Sequence, residues 1–442
     1  MDYKTLFRFP EGIEGEDYIT ATYYLETPLD LHRAADALAA EQSTGTWRRV
    51  GYETDEVRKK HACRVIGVYP IPREVTGAAL PTGVDLADFF PDTQEAPTRF
   101  NSGILRIAFP HINFGPRLAN LLSAVAGNLY EMGAFTAIKL LDLEFPQSYL
   151  DGFQGPKLGI KGTREILGVY DRPLIGAIIK PCVGLSPESL AELAYQGARG
   201  GLDFIKDDEL IANPEYNPLE ERVKRVMEAL DKAERETGEK TMYAFNITDR
   251  ADEVLRLHDI VYENGGNAVM LNFVTAGFPV LRMLAEHTKL PIHCHRDFFP
   301  SITRSPYVGM TTEVFTKLSR LAGADQLHCG AIQGKLYESD DEVLINVRTC
   351  IQDFSNIGAS LPVISGGQWA GKVPVNLRKI GHNDFILLSG AGVYAHPDGA
   401  EAGARSVRQA LDATLQGIRL EEYAKDHDEL RRAIEGFGKV KY

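Results

Sequence analysis

Tryptophan and cysteine are scarce in this 442-residue chain, at two and five residues, and basic side chains are outnumbered by acidic ones, 48 to 61. Each shortage closes off a class of protein. The cysteines, Cys63, Cys182, Cys294, Cys329 and Cys350, are odd in number and have neither disulfide-scaffold density nor metal-ligand spacing, so reduced thiols are expected. A formal net charge of -13 argues against a nucleic-acid partner or an anionic membrane surface. An anionic ligand would need basic groups gathered locally. No stretch approaches the roughly 18 apolar residues of a membrane span, and the segment from Met1 to Pro10 lacks the apolar region of a signal peptide. A soluble, cytoplasmic protein is expected.

What is present points to two domains, 1–150 and 151–442. Residues 18–150 mix strand-like segments (Tyr18 to Tyr24, Cys63 to Tyr69, Ser102 to Phe109) with helical ones (Leu31 to Glu41, Asn120 to Gly127), an α+β pattern. From about residue 150 strands and helices alternate. Apolar strand candidates fall at Leu174 to Lys180, Phe204 to Asp208, Met242 to Ile247, Ala268 to Phe273, Ile292 to His295, Gln326 to Cys329, Val363 to Ser365 and Phe385 to Leu388. Helical stretches between them include Ser186 to Arg199, with Ser186 as N-cap, Leu219 to Glu236, Ala251 to Asn264, Thr311 to Leu321 and Ala400 to Thr414. Eight strand-helix units in this length imply a (β/α)8 TIM barrel, whose usual size is about 250 residues.

The unusual polar residues gather where such barrels carry their chemistry, at the C-terminal ends of the strands. The first strand ends in Lys180-Pro181 and the second in Lys206, Asp208 and Glu209. The fifth ends in His295-Arg296-Asp297, and the sixth in His328, followed by a loop from Gly330 to Lys335. The last two end in Ser365-Gly366-Gly367 and Ser389-Gly390-Ala391-Gly392. Stability alone does not demand so many polar groups on one rim.

Within the second strand, Lys206 and Asp208 are two apart and share a face. Asp208 and Glu209 suit a hard cation such as Mg²⁺, which takes oxygen ligands. A lysine ammonium would compete with that ion, unless the neutral amine adds CO2 and becomes a carbamate, a third oxygen ligand. The plain alternative is a salt bridge at a strand end. The two glycine-rich turns after strands seven and eight suit a phosphate held by backbone N–H groups, and Arg296 opposite suits a bidentate grip on a second phosphate. Lys335 lies in a loop able to close over the site and bring its charge to a carboxylate; a solvated lysine is the simpler alternative. His293 and His295 share a strand face, but no third soft ligand is near in sequence, which disfavours zinc. The turn-rich loop from Glu41 to Trp47 holds Glu41, Thr46 and Trp47, which with Asn128 can touch a ligand.

These motifs resemble the large subunit of ribulose-bisphosphate carboxylase (RuBisCO) and its relatives over nearly the full length. The matching segments are Glu41 to Trp47, Asn128, Phe153 to Pro156, Ile179 to Pro181, Gly184 to Ser186, Gly200 to Glu209, His293 to Arg296, His328 with Gly330, Gly334-Lys335, Ser365 to Gly367, and Gly390 to Gly392 with His396-Pro397. The resemblance implies a ferredoxin-like α+β domain before the barrel, and a homodimer or multiple of dimers. In such a dimer Glu41, Thr46, Trp47 and Asn128 of one chain complete the partner's site. It further implies Lys206 as the carbamylated Mg²⁺ ligand beside Asp208 and Glu209, Lys180 as the lysine that moves a proton at substrate carbon, and His295 beside the metal-bound oxygens. Arg296 and His328 are implied at one phosphate, and Thr46, Trp47, Gly367, Gly390 and Ala391 at the other, next to Ser365 and Gly366. Lys335 resembles the mobile-loop lysine that binds the carboxylate.

Three departures point away from CO2 fixation and toward the RuBisCO-like (form IV) proteins. Cys182 replaces a lysine of the carboxylases' Lys-Pro-Lys, Asp297-Phe298-Phe299-Pro300 follows His295-Arg296 where carboxylases have a small residue and then Met-His-Ala, and Ala391 replaces a glycine. The retained Lys335 favours decarboxylation of a phosphorylated 3-oxo sugar acid such as 3-oxo-isoapionate 4-phosphate. The alternatives are an isomerase or enolase of a methylthio-sugar phosphate of the 5-methylthioribulose 1-phosphate type, a true carboxylase, and a catalytically silent binding protein.

Overall fold

The computed structural model describes residues 15–45, 49–75, 79 and 99–442. Thirteen strands are present among them: β1 (Tyr18–Thr27), β2 (Arg64–Val75), β3 (Phe100–Pro110), β4 (Ala137–Glu144), β5 (Leu174–Ile178), β6 (Phe204–Lys206), β7 (Met242–Asn246), β8 (Ala268–Asn272), β9 (Ile292–His295), β10 (Val308–Met310), β11 (Gln326–Gly330), β12 (Leu361–Ser365) and β13 (Ile386–Ser389). The chain divides into two compact units, Met1–Phe153 with Phe298–Leu318, and Gln154–Asp297 with Ser319–Tyr442.

The first unit carries a five-stranded sheet in the order β10-β4-β1-β3-β2. Its first four strands pair antiparallel, whereas β10 runs parallel to β4. The helix Leu31–Glu41 covers this sheet because Leu31, Ala34, Ala35, Leu38 and Ala39 recur at helical spacing and are buried. Asp30 caps it, its carboxylate accepting the N–H groups of His32 and Arg33 at 3.0 and 3.2 Å. The strand β10 comes from deep within the sequence that alternation assigns to the barrel. At three residues it is too short for a period-2 pattern to announce it.

The second unit is a closed barrel of eight parallel strands, β5 through β9 followed by β11, β12 and β13, which pairs back onto β5. Each lies within a few residues of its sequence expectation, and the N-cap of helix Pro187–Arg199 is Ser186, which accepts the Ser189 N–H at 3.2 Å. The interior is filled by alternate residues, among them Leu174, Phe204, Met242, Ala244, Met270, Val363 and Leu388. The same two-residue step carries each strand from apolar core to polar rim: Phe204 to Lys206, Ala244 to Asn246, Met270 to Asn272, and Val363 to Ser365. No helix of the described residues is long and apolar enough to cross a membrane.

Elsewhere in the barrel, buried carboxylates tie strands and loops together. Asp203 holds Arg172 in a two-point pair of 2.6 and 2.7 Å and accepts the Ile175 N–H at 2.9 Å. Asp325 accepts the N–H groups of Leu158 and Gly159 at 2.7 Å each and of Ile292 at 2.9 Å. Removing one partner of a buried pair leaves the other charge uncompensated, a loss of about 3–5 kcal/mol. Arg172→Met is therefore expected to lower unfolding free energy by about that amount, read by denaturant melts, while Arg225→Met on an exposed surface pair leaves the midpoint essentially unchanged.

Candidate active site at the barrel rim

The β6 end brings Lys206, Asp208 and Glu209 together as the two-residue step requires. Lys206 is fully buried, its Nζ donating to Asp207 O at 2.9 Å and lying 3.4 Å from Glu209 Oε2. Burial pushes the amine below the ordinary lysine range, against the pull of Glu209 and Asp208. Burial alone would raise Glu209, but the positive charge of Lys206 and the proximity of His295 hold its carboxyl down at about 2, so it is ionised at neutral pH. Asp208, also buried, pairs with Lys180 Nζ, which in turn donates to Cys182 Sγ at 3.1 Å. Burial works against the Lys180 ammonium, yet those two partners leave it raised.

Asp207 faces the other way. It accepts from Tyr243 Oη at 2.6 Å and the Asn246 N–H at 2.8 Å, and pairs with the buried Arg222 guanidinium at 3.2 Å. This anchor fixes the backbone from which Lys206 and Asp208 project. Asn246 and Asn272 donate to the Glu209 carbonyl at 3.3 and 2.9 Å and hold the third member in place. Sequence reasoning missed both. Their signal was an asparagine closing an apolar strand, in Phe245-Asn246 and Leu271-Asn272.

Three histidines line the next strands. Gln326 Nε2 donates to Thr163 Oγ1 at 3.1 Å, which turns Gln326 Oε1 toward His293 Nδ1 at 3.0 Å. That nitrogen carries the His293 proton, so His293 Nε2 accepts from His328 Nε2 at 2.8 Å. Burial and the neighbouring His295 push His328 well below its ordinary value, leaving it neutral. Arg296 Nη2 is gripped by the buried Glu338 at 2.9 and 2.7 Å. Both residues expected at one phosphate thus have internal partners. His295 lies 3.6 Å from Glu209 Oε2 and is likewise lowered, mainly by burial.

The two glycine turns stand after β12 and β13. Gly366 and Gly367 have φ of 119° and 71°, left-handed geometry that side chains rarely adopt. A Cβ on Gly390 would stand 3.3 Å from Lys180 Cε, so that turn borders Lys180. The short helix Ala391–Tyr394 follows it, the element that often completes a phosphate site in such barrels. The loop carrying Lys335 is docked on the first turn: the Lys335 N–H donates to Gly366 O at 3.3 Å. Lys372 Nζ clamps the same contact, donating to Gln333 O at 2.7 Å and Gly367 O at 2.8 Å. The Lys335 side chain is exposed.

The donor set fits a hard divalent cation. Asp208 and the ionised Glu209 supply oxygens, the buried Lys206 amine is pushed toward the neutral form that reacts with CO2, and Asn272 Oδ1 is a buried oxygen with no hydrogen-bond partner among the described residues. Of the remaining candidates, Glu41 and Asn128 lie in the first unit, where Asn128 Nδ2 is 3.5 Å from Glu41 Oε1. Thr46 and Trp47 lie outside the described residues. A cavity of about 430 Å³ in the first unit, lined by Gln42, His61 and Phe114 among others, contains none of the rim groups.

The family model for the catalytic domain of the ribulose bisphosphate carboxylase large chain matches residues 159–437, and that for its N-terminal domain matches 12–83 and 89–149. The chain belongs to the RuBisCO large-chain family. A ribulose bisphosphate carboxylase-like protein of Archaeoglobus fulgidus is 43% identical over 96% of this chain and 95% of its own length. The 3-oxo-isoapionate-4-phosphate decarboxylase of Rhizobium etli is 38% identical over 95% of this chain and 98% of its own. Among solved structures, the dimeric archaeal Rubisco of Hyperthermus butylicus superposes with a TM-score of 0.84 at 34% identity, covering 99% of this chain and 100% of that one. The RuBisCO fold, an N-terminal domain and a closed eight-stranded barrel, is thus shared throughout.

The Lys372 clamp carries a test. A hydrogen bond from a charged donor contributes on the order of 1.5–3 kcal/mol, so Lys372→Met is expected to speed amide exchange across residues 332–336 at least about tenfold. Mass-spectrometric hydrogen exchange reads it, with the β5 and β6 amides unchanged.

Proposed function

We propose that this chain is a soluble cytoplasmic decarboxylase of a phosphorylated 3-oxo sugar acid, of the 3-oxo-isoapionate 4-phosphate type. It would use Mg²⁺ held by Asp208, Glu209 and a carbamate formed from CO2 on Lys206. The observation that carries the reading is Lys335, an exposed cation on a loop docked against Gly366, beside a turn suited to phosphate. A departing carboxylate needs such a counter-charge, whereas enolisation alone does not. The Rhizobium etli relative named for this activity supports it.

The ion would supply electrostatic stabilisation for the negative charge developing on the substrate's ketone oxygen. The rest falls to side chains. Lys335 pairs with the carboxylate until the carbon–carbon bond breaks; CO2 leaves, and the bonding electrons pass to the carbonyl. Lys180 then returns a proton to the carbon, and Asp208, its partner in this structure, orients it. The turns at Gly366-Gly367 and Gly390-Ala391 hold the phosphate through backbone N–H groups, and His295 borders the reacting oxygens. A homodimer would bring Glu41, Thr46, Trp47 and Asn128 of each chain to its partner's barrel, a reading supported by the dimeric relative.

A second reading, isomerisation of a methylthio-sugar phosphate, is favoured by the Lys180–Asp208 pair, which enolisation would also use. CO2 release from 3-oxo-isoapionate 4-phosphate distinguishes them. Lys335→Ala is expected to cut that release about 100-fold or more with Mg²⁺ binding retained. Undiminished release, or proton exchange in D2O on methylthioribulose 1-phosphate in its place, favours the second reading. Separately, preincubation with Mg²⁺ and bicarbonate is expected to raise wild-type activity, and Lys206→Met to abolish both the activation and the turnover. An enzyme equally active without bicarbonate, with mass spectrometry showing a bare Lys206, removes the carbamate from the mechanism.

A further inference from the structure

Three side chains with metal-ligating atoms converge on outer helices of the second unit, in a cluster the barrel chemistry does not use. His258 and Asp259 lie on the helix Ala251–Glu263, and His287 ends the helix Phe278–His287. One ligand atom from each lies within 4.8 Å of the others. Asp259 Oδ1 stands 2.9 Å from His258 Nδ1 and 2.7 Å from His287 Nε2.

The placement of hydrogens decides what this cluster is. Thr288, fully buried, directs its one hydroxyl hydrogen to Leu290 O at 2.7 Å, while its oxygen accepts the Leu290 N–H at 2.9 Å. The same oxygen lies 2.9 Å from His258 Nε2, and with its hydrogen already placed it can only accept. His258 therefore carries a proton on Nε2, the Lys289 N–H being a longer contact to the same nitrogen at 3.4 Å. His258 Nδ1 faces the Asp259 carboxylate from an almost wholly buried ring, a contact that either a proton or a metal ion satisfies.

We propose that His258, Asp259 and His287 form a site for a divalent transition-metal ion of the zinc class, separate from the barrel rim. The ring nitrogen opposite the ligating one donates to a fixed oxygen, here Thr288 Oγ1, as metal-bound histidines do. Zinc at 2.0–2.1 Å from its ligands sets tetrahedral neighbours about 3.3 Å apart. Entry needs the present contacts to widen by a few tenths of an ångström. Asp259 and His287, with side chains 48% and 38% exposed, can make that adjustment and leave a position for water. Two imidazoles favour zinc over magnesium, and the helix C-terminus at His287 favours positive charge. The Lys289 ammonium opposes the ion but is held over the Tyr262 ring, 4.5 Å from its centroid.

The full-length protein, dialysed against Zn²⁺ with excess Mg²⁺ present, is expected to retain one equivalent. Co²⁺ in its place should give visible ligand-field absorption. His287→Ala and Asp259→Asn are expected to weaken Zn²⁺ binding at least about tenfold, with turnover unchanged. Asp208→Asn should leave it intact. Zn²⁺ lost with Asp208→Asn but kept in His287→Ala would assign the ion to the rim and overturn the site, as would the absence of stoichiometric binding to wild type.

Discussion

A single amine held out of water at the end of β6 constrains everything around it. Lys206 is fully buried with Asp208 and Glu209 close by, and burial penalises its charged form. That environment is costly unless every neighbouring polar group is positioned. Asp207 turned outward onto Arg222, Asn246 and Asn272 on the Glu209 carbonyl, and Met270 Sδ at 3.3 Å from Nζ are the means by which it is positioned. These partners come from β7, β8 and the helix Leu219–Thr237, so the geometry of the cluster depends on neighbouring barrel elements being in place.

The rim divides by the kind of group it presents. From β6 to β11 polar side chains at the strand ends and just beyond them are cross-bonded: His293 to His328, Arg296 to Glu338, Asn272 to the Glu209 carbonyl. From β12 onward the groups are backbone, carried by turns, and the loop with Lys335 is held there by main-chain carbonyls. Strand side chains can hold a fixed geometry against burial, while the loop's place depends on a few hydrogen bonds to carbonyls.

Much of this was legible in the sequence. Short apolar runs alternating with helical stretches placed the eight barrel strands, and the polar residues at their ends followed from where each apolar run stopped. Lys206 and Asp208 could be put on one face because they are two apart in a strand. What could not be read were partners far apart along the chain. Nothing near Asp207 announces Arg222, and nothing near Arg296 announces Glu338, since both pairs exist only once helices pack on the barrel. The strand β10 escaped because three residues carry no period, and its place in the first unit's sheet comes from a parallel pairing with β4. Lys372 was missed for a different reason: it binds carbonyls, which have no sequence signature.

The thiol of Cys182 sets the charge around Lys180. Its Sγ, 3.1 Å from Lys180 Nζ, accepts a weak hydrogen bond, where an ammonium at that position would repel the lysine. Lys180 is left with Asp208 as its one ion-pair partner within hydrogen-bond reach among the described residues, and Lys335 stands exposed on the docked loop. The one exchange from ammonium to thiol thus lowers the positive charge beside Lys180 and leaves its pairing with Asp208 unopposed.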